Sequence, residues 1–241
     1  MKILGIESSS LVASAAIVTD DILTAEYTVN FKKTHSQTLL PMIDEIVSMT
    51  ETDLNEIDAI AVSGGPGSFT GLRIGSATAK GLGLALDKPL VGIPTVEALA
   101  YNLYDVNGLI CPIMDARRKQ VYTGIYRYED HRLVTVKDQM AVGIEELLSM
   151  LNEMGETVTF LGDGVPVFKD IIADKLEVPF SFAPSHLSRQ RAGAVGALGI
   201  LYYKEGRTET AAEHKPDYLR VSQAERERAQ RLKKESEGEK A

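Results

Sequence analysis

The segment Ile57-Asp58-Ala59-Ile60-Ala61-Val62-Ser63 runs straight into Gly64-Gly65-Pro66-Gly67-Ser68-Phe69-Thr70-Gly71. A short apolar run closed by a glycine-rich turn predicts a strand ending near Ser63. The residues that follow predict a helix to about Leu86, then a strand over 89–93 and a helix over 94–104. Upstream, residues 2–8, 11–19 and 22–30 read as three strands of a meander turned at Asp20-Asp21, followed by a helix from about Ser36 to Met49. Asn107-Gly108 marks a boundary. Beyond it the order returns: strands at 109–115, 119–128 and 132–136, a helix at 144–154, a strand at 157–161, and helices at 166–176 and 187–204. The second half echoes the element order of the first without a sequence repeat. The class is α/β, with mixed sheets flanked by helices. The expected division is an N-terminal lobe at 1–108, a C-terminal lobe at 109–205 and a C-terminal segment at 206–241.

The net charge is −8, which repels phosphate backbones and makes the isolated chain a weak nucleic-acid binder. Lys2-Ile3-Leu4-Gly5-Ile6 begins a strand that Glu7 interrupts, so no signal-peptide core is expected. No apolar run is long enough for a membrane span, and the expected compartment is the cytoplasm. Cys111 lies in an apolar strand and reads as a buried structural thiol. His35, His131, His186 and His214 are far apart in sequence, so no local metal pair is encoded. A serine-nucleophile elbow is also absent. Residues 221–241 are rich in Glu, Arg and Lys and read as a solvated helix or a disordered tail.

Backbone N–H groups where a glycine-rich loop opens a helix can hold an anion, so 64–71 is a candidate phosphate loop. A tight strand-to-helix turn needs the same glycines. Pro66 removes one donor, and no Gly-Lys-Ser/Thr closes the loop. In the helix beyond, Gly71, Gly75, Ala79 and Gly83 form a row of minimal side chains. Either another backbone approaches that row closely, or it packs within its own lobe. In the preceding helix, Leu39, Leu40, Met42, Ile43, Ile46, Val47 and Met49 cover an arc of roughly 180°, wider than one core contact needs. The run Asp115-Ala116-Arg117-Arg118-Lys119 reads as a surface hairpin turn or a polar contact to a partner or RNA.

Together these segments resemble the TsaB family, also called YeaZ. The resemblance is carried by Ile3 to Ser10, His35-Ser36 with Leu40-Pro41, Gly64 to Gly75, Ala79-Lys80-Gly81, Asp115 to Arg118 with Val121-Tyr122, and Pro216 to Arg220. It spans roughly residues 1–220 and implies the two-lobed actin-like ATPase fold, also described as ribonuclease-H-like. It implies a companion subunit, with no catalytic residues of its own, in the complex that transfers threonylcarbamoyl to N6 of adenosine 37 in tRNAs reading codons that begin with A. TsaD, the related catalytic subunit, carries a His-x-x-x-His metal pair; here Thr95 and Leu99 stand in those places. The short acidic segment after TsaD's first strand is replaced by Ser10-Leu11-Val12-Ala13. The expected partners are a TsaD-like subunit carrying the metal, a TsaE-like subunit using ATP, and a second copy of the chain when it is alone. Contact with tRNA is expected only through the complex, and no cofactor or metal of the chain's own is expected. The expected partner surface is Leu39, Leu40, Ile43 and Val47 with Gly71, Arg73, Gly75, Ala79 and Gly83. Glu7, Ser8, Ser9, Gly64, Gly65, Gly67 and Ser68 form a possible remnant of a nucleotide loop. The alternative is a nucleotide-dependent kinase or ATPase of the same fold, using Glu7, the 64–71 loop and Gly162-Asp163-Gly164. A metallopeptidase is a weaker reading, because the histidine pair is missing.

Overall fold

The computed structural model describes residues 1–219. The reading of 221–241 therefore falls outside the described residues. In chain order the elements are β1 (Lys2–Glu7), β2 (Val12–Thr19), β3 (Ile22–Asn30), α1 (His35–Met49), β4 (Ala59–Gly65), α2 (Phe69–Leu86), β5 (Leu90–Pro94) and α3 (Thr95–Ala100). The second series is β6 (Leu109–Asp115), β7 (Gln120–Glu129), β8 (Arg132–Gly143), α4 (Ile144–Met154), β9 (Val158–Leu161), α5 (Val165–Lys175), β10 (Phe180–Phe182) and α6 (Ala192–Lys204).

Two five-stranded sheets result, with orders β3-β2-β1-β4-β5 and β10-β9-β6-β7-β8. In each, the first three strands are an antiparallel meander and the last two add parallel to the first. The echo in element order is thus a repeat of topology. Strand alternation fixes the two faces of the first sheet. Leu4 and Ile6 on β1 and Ile60 and Val62 on β4 point to one side, where Leu39, Met42, Ile43 and Ile46 of α1 and Ala79 of α2 cover them. Ile3, Ala59 and Ala61 point to the other side and meet Val195 and Leu198 of α6. The second sheet has Cys111, Ile113 and Phe160 under Leu147, Leu151, Phe168 and Ile172 of α4 and α5. On its opposite face, Tyr122 and Tyr126 of β7 pack with Val96 and Leu99 of α3.

Several features depart from the sequence reading. The helix expected over 94–104 ends at Ala100, the helix expected over 187–204 begins at Ala192, and β8 runs to Gly143 rather than stopping at 136. The three-residue β10 was not expected. The last departure concerns placement. α6 falls within the 109–205 stretch, yet it packs against β1, β2, β4 and β5 of the first sheet. A Cβ on Gly5 would sit 2.4 Å from the Ala192 carbonyl oxygen, so only glycine lets α6 approach β1 this closely. The Glu26 carboxylate on β3 holds the helix start, accepting from Gly193 N at 2.8 Å and pairing with Arg191. Beyond α6, Leu90 and Glu209 exchange backbone hydrogen bonds of 2.8 and 2.9 Å. Residues 206–219 thereby cross the first lobe as a strap.

Candidate functional site

Between the lobes lies a cleft of ≈ 460 Å³. Its walls are the equivalent hairpin turns of the two sheets: Ser9, Ser10 and Leu11 after β1, and Asp115 at the end of β6 with Ala116 and Arg117 after it. Gly67, Ser68 and Phe69 open α2 on one side, and Asp163 closes the other.

The first turn is satisfied from within. Glu7 is 1% exposed, and its carboxylate accepts from Ser9 N at 2.6 Å, Ser9 Oγ at 2.5 Å and Ser63 Oγ. Burial raises the Glu7 pKa, against the lowering pull of those bonds. Ser68 N donates to the Ser9 carbonyl at 2.7 Å, and Ser68 Oγ caps α2 by accepting from Gly71 N at 3.3 Å. Ser8 Oγ donates to the Gly71 carbonyl at 2.9 Å, and His35 Nε2 pairs with the Ser10 carbonyl at 2.8 Å. The loop thus uses several donors that a phosphate would need. Of the expected loop residues, Ser9, Gly67 and Ser68 reach the cleft. Glu7 and Ser8 are interior, and Gly64 and Gly65 lie beneath the strap. Glu7 is therefore not placed to receive Mg²⁺ from the cleft.

The second turn is built in the opposite way. Arg117, Arg118 and Lys119 have φ of 65°, 56° and 58°, three consecutive left-handed residues that are not glycine. Such residues are uncommon and strained. Asp115 Oδ1 accepts from Arg117 N at 2.8 Å, and Ala116 N and Gln120 N close the turn through the carbonyls of Gln120 and Arg117. The basic run is thus a surface hairpin, with the Arg117 side chain 86% exposed at the cleft mouth. Across from it, burial raises the Asp163 pKa, while a bond from Gln190 Nε2 at 3.1 Å pulls it down.

The expected partner surface is corrected at most of its positions. Leu39, Ile43 and Ala79 are 1%, 3% and 0% exposed and belong to the core between the helices and their own sheet. The row Gly71, Gly75 and Gly83 also faces inward. Added Cβ atoms would lie 2.0 Å from the Ser8 carbonyl oxygen, 2.2 Å from Ser8 Oγ and 2.5 Å from a Leu90 methyl. These glycines let α2 sit tightly on β1, β4 and β5. Arg73 and Leu40 are on the surface, and Val47 is half-buried. What the sequence reading missed is a second row, Ala77, Gly81 and Ala85, two residues out of step and on the opposite side of α2. Ala77 and Ala85 are exposed, and nothing lies within 4 Å of a Cβ on Gly81. Leu84 beside it is 71% exposed and Leu40 on α1 is 53% exposed. The helical period contained both rows, and the polarity of their flanking residues was too even to rank them.

Thr95 and Leu99 are 0% and 1% exposed. Leu99 packs in the α3 core, and a Cβ on Gly162 would lie 3.1 Å from its methyl. Among the described residues, no group of three or more His, Cys, Asp or Glu is arranged to hold a metal ion. Cys111 is buried and touches Thr123 Oγ1 at 3.5 Å; burial pushes its thiol up to about 12.

The family model for TsaD, tRNA N6-adenosine threonylcarbamoyltransferase, matches residues 25–228. The chain is 35% identical over 225 residues to the tRNA threonylcarbamoyladenosine biosynthesis protein TsaB of Bacillus subtilis, covering 93% of this chain and 96% of that one. The chain belongs to the TsaB family. Its fold matches the solved structure of YeaZ from Pseudomonas aeruginosa with a TM-score of 0.77 at 22% identity, over 90% of this chain and 99% of that one. It also matches an inorganic polyphosphate/ATP-glucomannokinase from Arthrobacter sp. strain KM, with a TM-score of 0.50 at 13% identity, over 84% and 99% of the two chains. The TsaB fold is thus the two-lobed actin-like ATPase fold shared with sugar kinases. Among the described residues of this TsaB-family chain, no helix is long and apolar enough to cross a membrane.

Proposed function

We propose that this chain acts in tRNA threonylcarbamoyladenosine biosynthesis as a non-catalytic companion of a TsaD-like subunit. It scaffolds and activates that subunit through the outward face of α1 and α2. The observation that carries the reading is the uncovered surface of α2. There the small-residue row Ala77, Gly81 and Ala85 is flanked by Arg73 and by Leu84, which is 71% exposed. Small side chains on an exposed face let a second helix approach closely, and an exposed leucine rewards that approach by leaving water. The names of the curated relatives support the process, and the similarity to the Bacillus subtilis relative extends over 93% of the chain.

The companion role is supported by the chemistry of the interior. Leu99 offers no metal-binding atom, and the Glu7 carboxylate is buried and bonded within the fold. The metal of the reaction then belongs to the TsaD-like partner, and ATP use to a TsaE-like partner. With a net charge of −8, tRNA is held mainly by the assembled complex. The chain alone pairs with itself through the same face, about a two-fold axis. The test is reconstitution with tRNA, threonylcarbamoyl-adenylate, a TsaD-like subunit and a TsaE-like ATPase. Modification is expected only when this chain and the TsaD-like subunit are both present. Transfer by this chain without that subunit overturns the proposal.

A further inference from the structure

A second, smaller cavity of ≈ 210 Å³ lies at the C-terminal ends of β4 and β5, beneath the strap. It is walled by the bare backbones of Gly64, Gly65 and Gly92, by Gln139 reaching over from β8, and by Glu209 and His214 of the strap. The crevice outside the carboxyl ends of parallel strands is where open α/β sheets take ligands. The strap is tied down on both sides of the cavity, by the Leu90–Glu209 backbone pair and by Asp217 N donating to the Gly64 carbonyl at 2.6 Å. Lys80 Nζ also donates to the His214 carbonyl at 3.1 Å.

Two residues that line this cavity each carry a buried polar atom with no partner: His214 Nε2 and Gln139 Oε1. Their hydrogen-bonding sense follows from their neighbours. His214 is 1% exposed, and its Nδ1 lies 2.6 Å from Glu209 Oε1. A carboxylate oxygen only accepts, so Nδ1 carries a hydrogen; in the neutral form of the ring Nε2 is then an acceptor. Gln139 Nε2 donates to Asp217 Oδ2 at 2.7 Å, which identifies Oε1 as the carbonyl oxygen, also an acceptor. Buried acceptors without donors are unfavourable and rare in native folds. The surrounding charges are matched, Glu209 and Asp217 against Lys215 and Lys80, so nothing favours an ion of either sign.

The geometry points to a binding site for a small uncharged molecule bearing N–H donors, a primary carboxamide or urea-type group, which donates to His214 Nε2 and Gln139 Oε1 as the strap yields slightly. This is independent of the partner reading and makes no use of the outer row of α2. It is tested on the full chain carrying ¹⁵N-labelled histidine, with acetamide as the probe and N,N-dimethylacetamide, which has no N–H, as the control. The His214 ring is assigned by comparison with His214→Asn. In the free chain, Nε2 is expected to resonate as an unprotonated nitrogen. Acetamide should move that resonance upfield saturably in the millimolar range, the affinity expected of so few atoms. Dimethylacetamide should not, and Gln139→Leu should weaken the response about tenfold, the worth of one good hydrogen bond. A protonated Nε2 in the free chain overturns the proposal. So does the absence of a saturable response to acetamide in the unmodified chain, or an equal response to both amides.

Discussion

The two lobes repeat one topology, yet their equivalent hairpin turns are built in opposite ways. The turn after β1 is serine-rich and closed on itself, with Glu7 gathering Ser9 and Ser63 and with α2 seated on Ser8. The turn after β6 is basic and exposed, and it is held in a left-handed conformation over three residues. Of these two equivalent turns, one is an internal brace and the other an outward basic knuckle. The difference teaches that one sheet topology can be built twice with turns held by quite different chemistry.

The largest expected effect comes from opening the internal brace. Glu7→Leu leaves Ser9 N, Ser9 Oγ and Ser63 Oγ without their acceptor, and should lower stability by about 3 kcal/mol or more in urea unfolding. Loss well below that would mean that the turn is not braced by this carboxylate. Glu7 also carries a pH signature. Burial raises its folded-state pKa, so the folded chain holds a proton there that the unfolded chain releases. Its contribution is therefore full below the ordinary carboxylate range and is lost as pH rises through the raised value. Relative to Glu7→Gln, the unmodified chain should lose stability over that window. A flat difference curve would contradict the burial of an ionisable group there.

Next in size is a pair of identical changes on one helix. Gly71→Ala drives a methyl to 2.0 Å from the Ser8 carbonyl oxygen and should destabilise by about 3 kcal/mol. Gly81→Ala meets open space and should stabilise by up to about 1 kcal/mol through helix propensity. Thermal unfolding of both variants reads the contrast, and equal effects would erase the distinction between the inner and outer rows.

The strained turn of the second lobe gives a smaller effect of opposite sign to that of Glu7→Leu. Arg118 is exposed with φ of 56°, so Arg118→Gly should gain about 1 kcal/mol by removing left-handed strain. A loss of stability would show that the Arg118 side chain contributes more than its backbone strain costs.

Much of this was legible in the sequence. Alternation and period gave the meanders and the glycine-loop unit, because strands and helices write different repeats. The three-residue β10 was too short to carry a period. The seat of α6 on the first sheet depends on Gly5 and Glu26, which are far away in sequence. The row singled out in the sequence, Gly71, Gly75, Ala79 and Gly83, is the one that meets the sheet, since small residues recur on both sides of α2 and sequence does not say which side faces inward. The cavity under the strap was invisible because its polar groups, Gln139, Glu209 and His214, come from separate segments.

The central claim is that the outer row of α2 receives the TsaD-like subunit. Its most direct test is the affinity of that subunit for the full chain and for the double variant Ala77→Glu with Gly81→Leu, measured by titration calorimetry. Both positions are exposed, so the variant should keep its circular dichroism spectrum and nearly its Tm. The account predicts binding weakened by about 100-fold or more, from a buried charge and a blocked helix approach. A folded variant that binds the subunit as tightly as the unmodified chain would contradict it.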